Sequence, residues 1–191
     1  MSPKETATPH LLQHVTRGTN RWPLMTLLFA AMLMLLPGEA RAQTATLTDD
    51  ADTSSATTNN NGAATSLTVA QLPGKKGAVT TQSAYLKFKL TPSLPPGTTA
   101  ANVAKATLKV FVTNAASGSS FNVMRVNGVW DEATITDASA NQLTLLPEVS
   151  GVTVTKANSF VVIDLTQLVK DWLSGAQANH GIALVAGANP S

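Results

Sequence analysis

The spacing of apolar residues changes period near the end of the chain. Between residues 159 and 165 apolar side chains recur at every second position, which is the pattern of a half-buried strand. From Leu165 they recur at i, i+3, i+4 and i+7, through Leu168, Val169 and Trp172, which places them on one side of a helix. The pattern therefore predicts a strand followed by a helix of about three turns.

The residues around this helix fit its ends. Asp164 stands where an N-cap is expected, and Gln167 follows at the spacing of a capping box. Gly175 stands where the chain leaves the helix. Because the rest of the chain is rich in strands, we expect the apolar side of this helix to lie on a sheet and to close one end of a sandwich.

Period-two alternation predicts strands elsewhere. Residues 83–90 place Ala84, Leu86, Phe88 and Leu90 on one face, and Tyr85, Lys87 and Lys89 on the other. Residues 105–113 repeat the alternation, and residues 129–136 form a rim segment or weak strand. With a short strand at 181–186, these elements predict an all-β antiparallel sandwich, jelly-roll-like, with one short amphipathic helix near the C-terminus. Further strands are predicted at residues 45–48, 66–72, 121–126, 151–155 and 160–165.

The first 42 residues have the features of a secretory signal peptide. A basic flank precedes an apolar run at residues 24–36, and the small residues of an A-x-A site stand at 40–42. We expect cleavage after Ala42, leaving one domain over residues 43–191. The alternative is an uncleaved anchor, but the run is shorter than the roughly 18 residues of a spanning helix.

The basic character of the whole chain belongs to this leader. Residues 1–42 hold four of the 13 Lys and Arg and two of the 11 Asp and Glu, so nine of each remain. A domain with zero formal net charge gives no reason to expect nucleic-acid binding. There is no cysteine, so an exported domain would depend on its core rather than on disulfides.

Few residues suit catalysis. His180 is the one histidine after residue 42, and we interpret it as a solvated loop residue rather than part of a nucleophilic triad. Asp131 and Glu132 are adjacent, so on a strand they would point to opposite faces, and we interpret them as a polar turn. The sequence therefore predicts no enzyme, which leaves a hydrolase or lyase as the weakest hypothesis.

Three aspartates precede an asparagine-rich segment. Asp49, Asp50 and Asp52 are expected on a loop ahead of residues 59–61, and closely spaced oxygen ligands on a loop suit calcium. The same residue types also suit turns in which Asx side chains bond the backbone. We therefore expect no cofactor, and calcium is the alternative that this pattern allows.

Two strands carry lysines on the side that we expect to face outward. If residues 83–90 and 105–113 pair, Lys87, Lys89, Lys105 and Lys109 share one face with Tyr85. Such a face has reason to bind a polyanion, because like charges placed side by side repel each other. The alternative is ordinary solvated lysine that protects sheet edges.

Six segments taken in order resemble a known family: SLTVAQL, SAYLKFKL, VAKATLKVFVT, FNVMRVNGVWDEATIT, VVIDLTQLVKDWLSG and NHGIALV. They are similar to the DNRLRE-domain family, which is related to carbohydrate-binding module family 96. The likeness covers about residues 47–187. Within it, Trp130, Glu132, Asp164 and Trp172 match the family pattern and are interpreted as structural. The pattern also leads us to expect a further strand, so that residues 43–191 lack the last strand of the sandwich.

The resemblance implies a secreted, extracellular β-sandwich without catalysis, appended in many members to larger proteins. We therefore predict a carbohydrate-binding module whose partner is an acidic polysaccharide such as alginate, with the lysine face as its contact. Other domains of a larger parent protein are further expected partners, whereas nucleic acid and, after cleavage, a membrane are not. The alternative is a structural or adhesive extracellular domain without glycan binding.

Overall fold

The predicted antiparallel sandwich is confirmed in the structure, a computed structural model that describes residues 42–74 and 77–187. Residues 1–41 of the predicted signal peptide, residues 75–76 and the chain end at 188–191 lie outside these residues. One sheet has the order β1-β3-β8-β5-β6, with β2 also pairing with β3, and the other consists of β4 and β7. The strands are β1 Thr46–Ser54, β2 Ala70–Pro73, β3 Val79–Lys89, β4 Thr107–Val112, β5 Ser120–Asn127, β6 Thr144–Thr153, β7 Ser159–Asp164 and β8 Ile182–Ala186; the α-helices are α1 Asp137–Ala140 and α2 Thr166–Ser174.

The main core lies between the two sheets. The large sheet contributes five buried side chains to it: Ala84 and Leu86 of β3, Ile182 and Leu184 of β8, and Phe121 of β5. The small sheet packs its inner side chains, among them Leu108, Val110, Val161 and Ile163, against them. The inward face predicted for residues 83–90 and 105–113 is therefore confirmed.

Helix α2 lays its apolar side on this core, as the spacing predicted. Leu168 is 2% exposed and Trp172 is 9% exposed, and Val169 packs beside them. Gly175 ends the helix in the left-handed conformation, with φ of 76°. No helix among residues 42–74 and 77–187 has both the length and the hydropathy to span a membrane.

The predicted capping box is wrong, because the helix begins one residue later than the spacing indicated. Leu165 occupies the N-cap position and makes no side-chain cap. The Asp164 carboxylate accepts a hydrogen bond from the Thr166 amide at 2.8 Å, and the Gln167 amide donates to Asp171 within the helix instead of reaching back. From its position just outside the helix, the Asp164 side chain thus satisfies one backbone N–H group of the first turn.

The other face of the large sheet is also covered, which the alternation did not predict. Tyr85, Val126 and Ala183 pack there with Trp130 and Ile135, from the segment that joins β5 to α1. The loop at residues 55–69 joins this layer: the Asn60 side-chain amide donates to the carbonyls of Glu132 and Ile135, both at 2.7 Å. Gly62 is needed there, because a Cβ would overlap the Glu132 backbone.

Three strands have bounds that differ from prediction. β1 runs through Ser54 rather than ending at residue 48, because it pairs with β3 as far as Gln82. β2 begins at Ala70 rather than at residue 66, because it pairs with β3 only up to Gln82 and β8 takes the same edge of β3 from Ser83 onward. β6 begins at Thr144, well before the predicted strand at 151, because an edge strand tolerates Pro147.

Removal of the Leu168 side chain should destabilise the protein strongly. We expect Leu168→Ala to lower the free energy of unfolding by about 2–5 kcal/mol, because it leaves a cavity between helix and sheets. Urea denaturation of both proteins measures this difference.

Gln167→Ala is the matched control on the exposed side of the same helix, and it should change the free energy of unfolding by less than about 0.5 kcal/mol. Equal midpoints for Leu168→Ala and the original protein would show that α2 does not pack on the core.

Candidate functional site

The predicted lysine face is divided between the two sheets. β3 pairs with β1, β2 and β8, whereas β4 pairs only with β7, so Lys87 and Lys109 do not share a surface. The prediction of one common face is wrong because the chain crosses from one sheet to the other between residues 90 and 106, which is too long a connection for a hairpin.

Tyr85 lies in the core rather than on a binding surface. It is 3% exposed, and its ring meets Trp130 edge to face with the ring centroids 5.8 Å apart. Burial raises the pKa of the Tyr85 phenol above its ordinary value, and the nearby Asp137 carboxylate raises it further. A ligand could not reach this side chain without opening the outer layer.

Lys87 joins β1, β3 and the segment after β5. Its ammonium lies 3.2 Å from an Asp49 carboxylate oxygen and donates to the Trp130 carbonyl at 2.7 Å. It also lies 4.4 Å from the centre of the Trp130 ring, which adds a cation–π contact. The positive charge of Lys87 is therefore already engaged by groups of the protein itself.

Lys89 lines an open groove of about 520 Å³ at one end of the large sheet. Phe88, Leu90 and Leu173 contribute apolar surface, while Thr91 and Thr98 contribute hydroxyl groups. The ammonium of Lys89 has no carboxylate within ion-pair distance among residues 42–74 and 77–187. The groove therefore combines an available cation, hydrogen-bonding groups and apolar patches. Its lining also includes Thr48, Lys87, Trp172 and Asn179.

Eight of the ten lining residues were not predicted as site residues, and Asn179 and Trp172 are two of them. Asn179 holds the rim in place, because its side-chain amide donates to the Phe88 carbonyl at 2.8 Å and its oxygen accepts from the Gly181 amide at 3.2 Å. The Trp172 indole N–H has no hydrogen-bond partner in the described part of the protein. The family pattern singled out Trp172, but nothing in the local spacing indicated that its helix would border a groove.

Lys105 and Lys109 lie next to and within the small sheet. Lys105 is exposed just before β4, and Lys109 lies on the outward face of β4. Lys109 Nζ is 4.0 Å from the centre of the Phe160 ring. These two predicted residues therefore remain accessible, on a surface separate from the groove.

The three aspartates of the predicted calcium site lie on strand β1, so the prediction that they occupy a loop is wrong. Asp49 pairs with Lys87, and Asp52 is buried and accepts a hydrogen bond from the Thr68 amide at 3.0 Å. Burial and the Glu132 carboxylate raise the pKa of Asp50. Within residues 42–74 and 77–187, no three His, Cys, Asp or Glu side chains are grouped to hold a metal ion. Calcium binding stays a prediction from the sequence.

The candidate catalytic residues have structural contacts instead. The His180 carbonyl accepts the indole N–H of Trp130 at 2.8 Å, and its half-buried side chain belongs to the loop before β8. An oxygen of the Asp131 side chain accepts the Ala133 amide at 3.0 Å, as in an Asx turn, and Glu132 accepts the Asp50 amide at 3.1 Å. These contacts agree with the structural interpretation of Trp130 and Glu132.

The Asp49–Lys87 contact should make stability depend on pH. Although burial acts in the opposite direction, hydrogen bonds from Thr48 and Lys87 hold the pKa of Asp49 below its ordinary value of 3.8. A carboxylate with a lowered pKa stabilises the folded state above its unfolded-state pKa, and that contribution is lost as pH falls through the folded-state pKa. We therefore expect Asp49→Asn to be less stable than the original protein at pH 7, and the difference to shrink below about pH 4.

Denaturant titrations of both proteins at pH 7 and pH 3 measure this change. Asp131→Asn, at an exposed turn on the same side of the molecule, is the control for general effects of acid. A difference between Asp49→Asn and the original protein that stays constant over this range would contradict the proposed ion pair.

Comparison with known proteins identifies the family. The family model of carbohydrate-binding module family 96 matches residues 41–190. No curated protein matches the chain. The match covers both sheets, the covered outer layer and the groove beside Lys89. The chain therefore belongs to carbohydrate-binding module family 96.

Proposed function

We propose that the protein is a secreted, non-catalytic carbohydrate-binding module that holds an acidic polysaccharide, such as alginate, in the groove beside Lys89. Family membership supports carbohydrate as the class of ligand. The groove supports an acidic one, because an unpaired lysine stands among hydroxyl groups and apolar patches. The Lys89 ammonium is the single observation that carries the choice of an anionic sugar.

Each part of the groove suits a different part of a sugar acid. The Lys89 ammonium would pair with a carboxylate, and the Thr91 hydroxyl would bond to a sugar hydroxyl. The Thr98 hydroxyl donates to the Pro95 carbonyl at 2.7 Å, so towards a sugar it would act as an acceptor. Leu173 and Phe88 offer apolar surface to the C–H groups of a ring.

Lys87 has a different role in this proposal. Its ammonium is held by Asp49 and by the Trp130 carbonyl, so direct pairing with a ligand would require that contact to break. Lys87 therefore supports the wall of the groove and does not contact the ligand. Lys89, which is exposed and has no acidic partner among the described residues, makes the direct contact.

The attraction for a polyanion is local. Residues 43–191 hold nine basic and nine acidic residues, since the leader holds four of the 13 basic and two of the 11 acidic ones, so the domain as a whole does not attract anions. Binding should then depend on the few charges near the groove, and on ionic strength, because salt screens exposed charges over about 10 Å at 0.1 M.

A structural or adhesive extracellular domain without glycan binding is the alternative. The exposed apolar side chains of the small sheet, at Phe111, Phe160 and Val162, favour it because such patches mark contact surfaces. It predicts no binding to any glycan on an array. The same screen would reveal the preferred sugar if the carbohydrate-binding proposal is right.

Lys89→Ala should weaken binding to alginate about five- to tenfold, equivalent to about 1–1.4 kcal/mol. The reason is the loss of one charge-assisted contact at a partly solvated site. Calorimetry or affinity electrophoresis with alginate, at 50 mM and 500 mM salt, measures the effect. The original protein should lose affinity at the higher salt, and the variant should lose less.

Lys156→Ala is the matched control, because Lys156 is an exposed lysine on the loop between β6 and β7, outside the groove. It should bind like the original protein. Equal affinities for Lys89→Ala and Lys156→Ala would remove the groove as the binding site.

A further inference from the structure

The outward side of the small sheet carries an exposed patch of large apolar side chains. Phe111 is 50% exposed, Phe160 is 56% exposed and Val162 is 60% exposed. With Lys109 these residues form what we call the aromatic face. None of them lines the groove, so the aromatic face is a separate surface. Exposed apolar groups gathered on one sheet face indicate a contact surface.

The side chains of the aromatic face are arranged by the register of β4 and β7. Phe111 stands opposite Phe160, and Lys109 stands opposite Val162, in six consecutive pairs without a bulge. The two rings meet edge to face with their centroids 5.0 Å apart, and the ammonium of Lys109 lies 4.0 Å from the Phe160 centroid. A cation is thus held beside the Phe160 ring, which itself meets the Phe111 ring.

The size of the aromatic face argues against a second copy of the chain as its occupant. Each strand has six residues, so the face is roughly 20 Å long and, with two strands about 4.8 Å apart, roughly 10 Å wide. That is about 200 Å², whereas a stable complex usually buries about 800 Å² on each partner. A narrow, linear ligand fits this strip better than a folded protein does.

The charge of the aromatic face indicates what kind of linear ligand it would take. No described carboxylate lies within ion-pair distance of the Lys109 ammonium, so its charge is available. Aromatic rings present a negative face to the slightly positive C–H groups of a sugar ring. We propose that the aromatic face is a second binding surface for the acidic polysaccharide, with Phe111 and Phe160 contacting sugar rings and Lys109 pairing with a carboxylate.

This inference rests on the proposed function and adds a consequence to it. A module with two separate contacts gains affinity for a polymer long enough to reach both, because the second contact becomes intramolecular. Short oligosaccharides can occupy only one surface at a time. Loss of the aromatic face should therefore reduce binding to long chains more than binding to short ones.

The test compares Phe160→Ala with Leu72→Ala by affinity electrophoresis in alginate polymer and by calorimetry with short alginate oligosaccharides. Leu72 is a matched control, since it is 49% exposed and lies on β2 in the other sheet. We expect Phe160→Ala to weaken polymer binding about tenfold, and Leu72→Ala to leave it unchanged. A tenfold change corresponds to about 1.4 kcal/mol.

Lys109→Glu provides a second variant that does not depend on removing an apolar side chain. It changes an exposed residue and should also weaken polymer binding, by about tenfold or more, because it places a negative charge where the carboxylate binds. Melting curves of all variants confirm that each is folded before binding is compared.

Three results would overturn the inference. Unchanged polymer binding by both Phe160→Ala and Lys109→Glu, while Lys89→Ala binds weakly, would reject the aromatic face and leave the groove standing. Absence of any alginate binding by the original protein would reject the proposed function itself. Concentration-dependent dimers in sedimentation that disappear in Phe160→Ala would assign the face to self-association instead.

Discussion

The structure depends on burial of the large sheet on both of its faces. Three consecutive residues of β3, Ala84, Tyr85 and Leu86, are at most 6% exposed, and so are Ile182–Leu184 of its neighbour β8. Alternate side chains enter two different clusters, one beneath the small sheet and α2, the other beneath Trp130 and its segment. The middle of the large sheet is therefore closed to ligands on both faces.

Much of the fold could be predicted from the spacing of apolar residues. The period change at Leu165 located α2, and alternation located β3 and β4 with their inner faces. The covered outer face could not be predicted in the same way, because alternation distinguishes two faces but does not say whether the second is solvated. Tyr85 is the example: it is an amphipathic residue that precedes Lys87 and Lys89 on the same face, and its burial depends on Trp130, which is distant in sequence. The start of α2 was misplaced because Leu165 serves both strand and helix patterns.

The candidate site could be predicted only in part, because its residues come from separate elements. The lysines were identified as the residues of interest, but their grouping depended on whether β3 and β4 are neighbours, and strand order is not encoded in local periodicity. In the structure the three lysines have different surroundings, which a single lysine face would not have provided. Lys87 is held by Asp49 and Trp130, Lys89 faces the groove, and Lys109 lies beside Phe160.

The aspartates of β1 were predicted to lie on a loop because acidic residues are rare in strands. In the structure they lie on a strand, where Lys87 and the Thr68 amide satisfy two of them.

The central claim, that the groove at the end of the large sheet binds an acidic polysaccharide, is tested most directly by nuclear magnetic resonance. Isotope-labelled protein would be titrated with alginate oligosaccharides while the backbone amide signals are followed. The account predicts shifts at the groove residues Lys89, Thr91, Leu173 and Asn179, which diminish as salt is added. Titration to saturating sugar without a change at any of these four amides would contradict it.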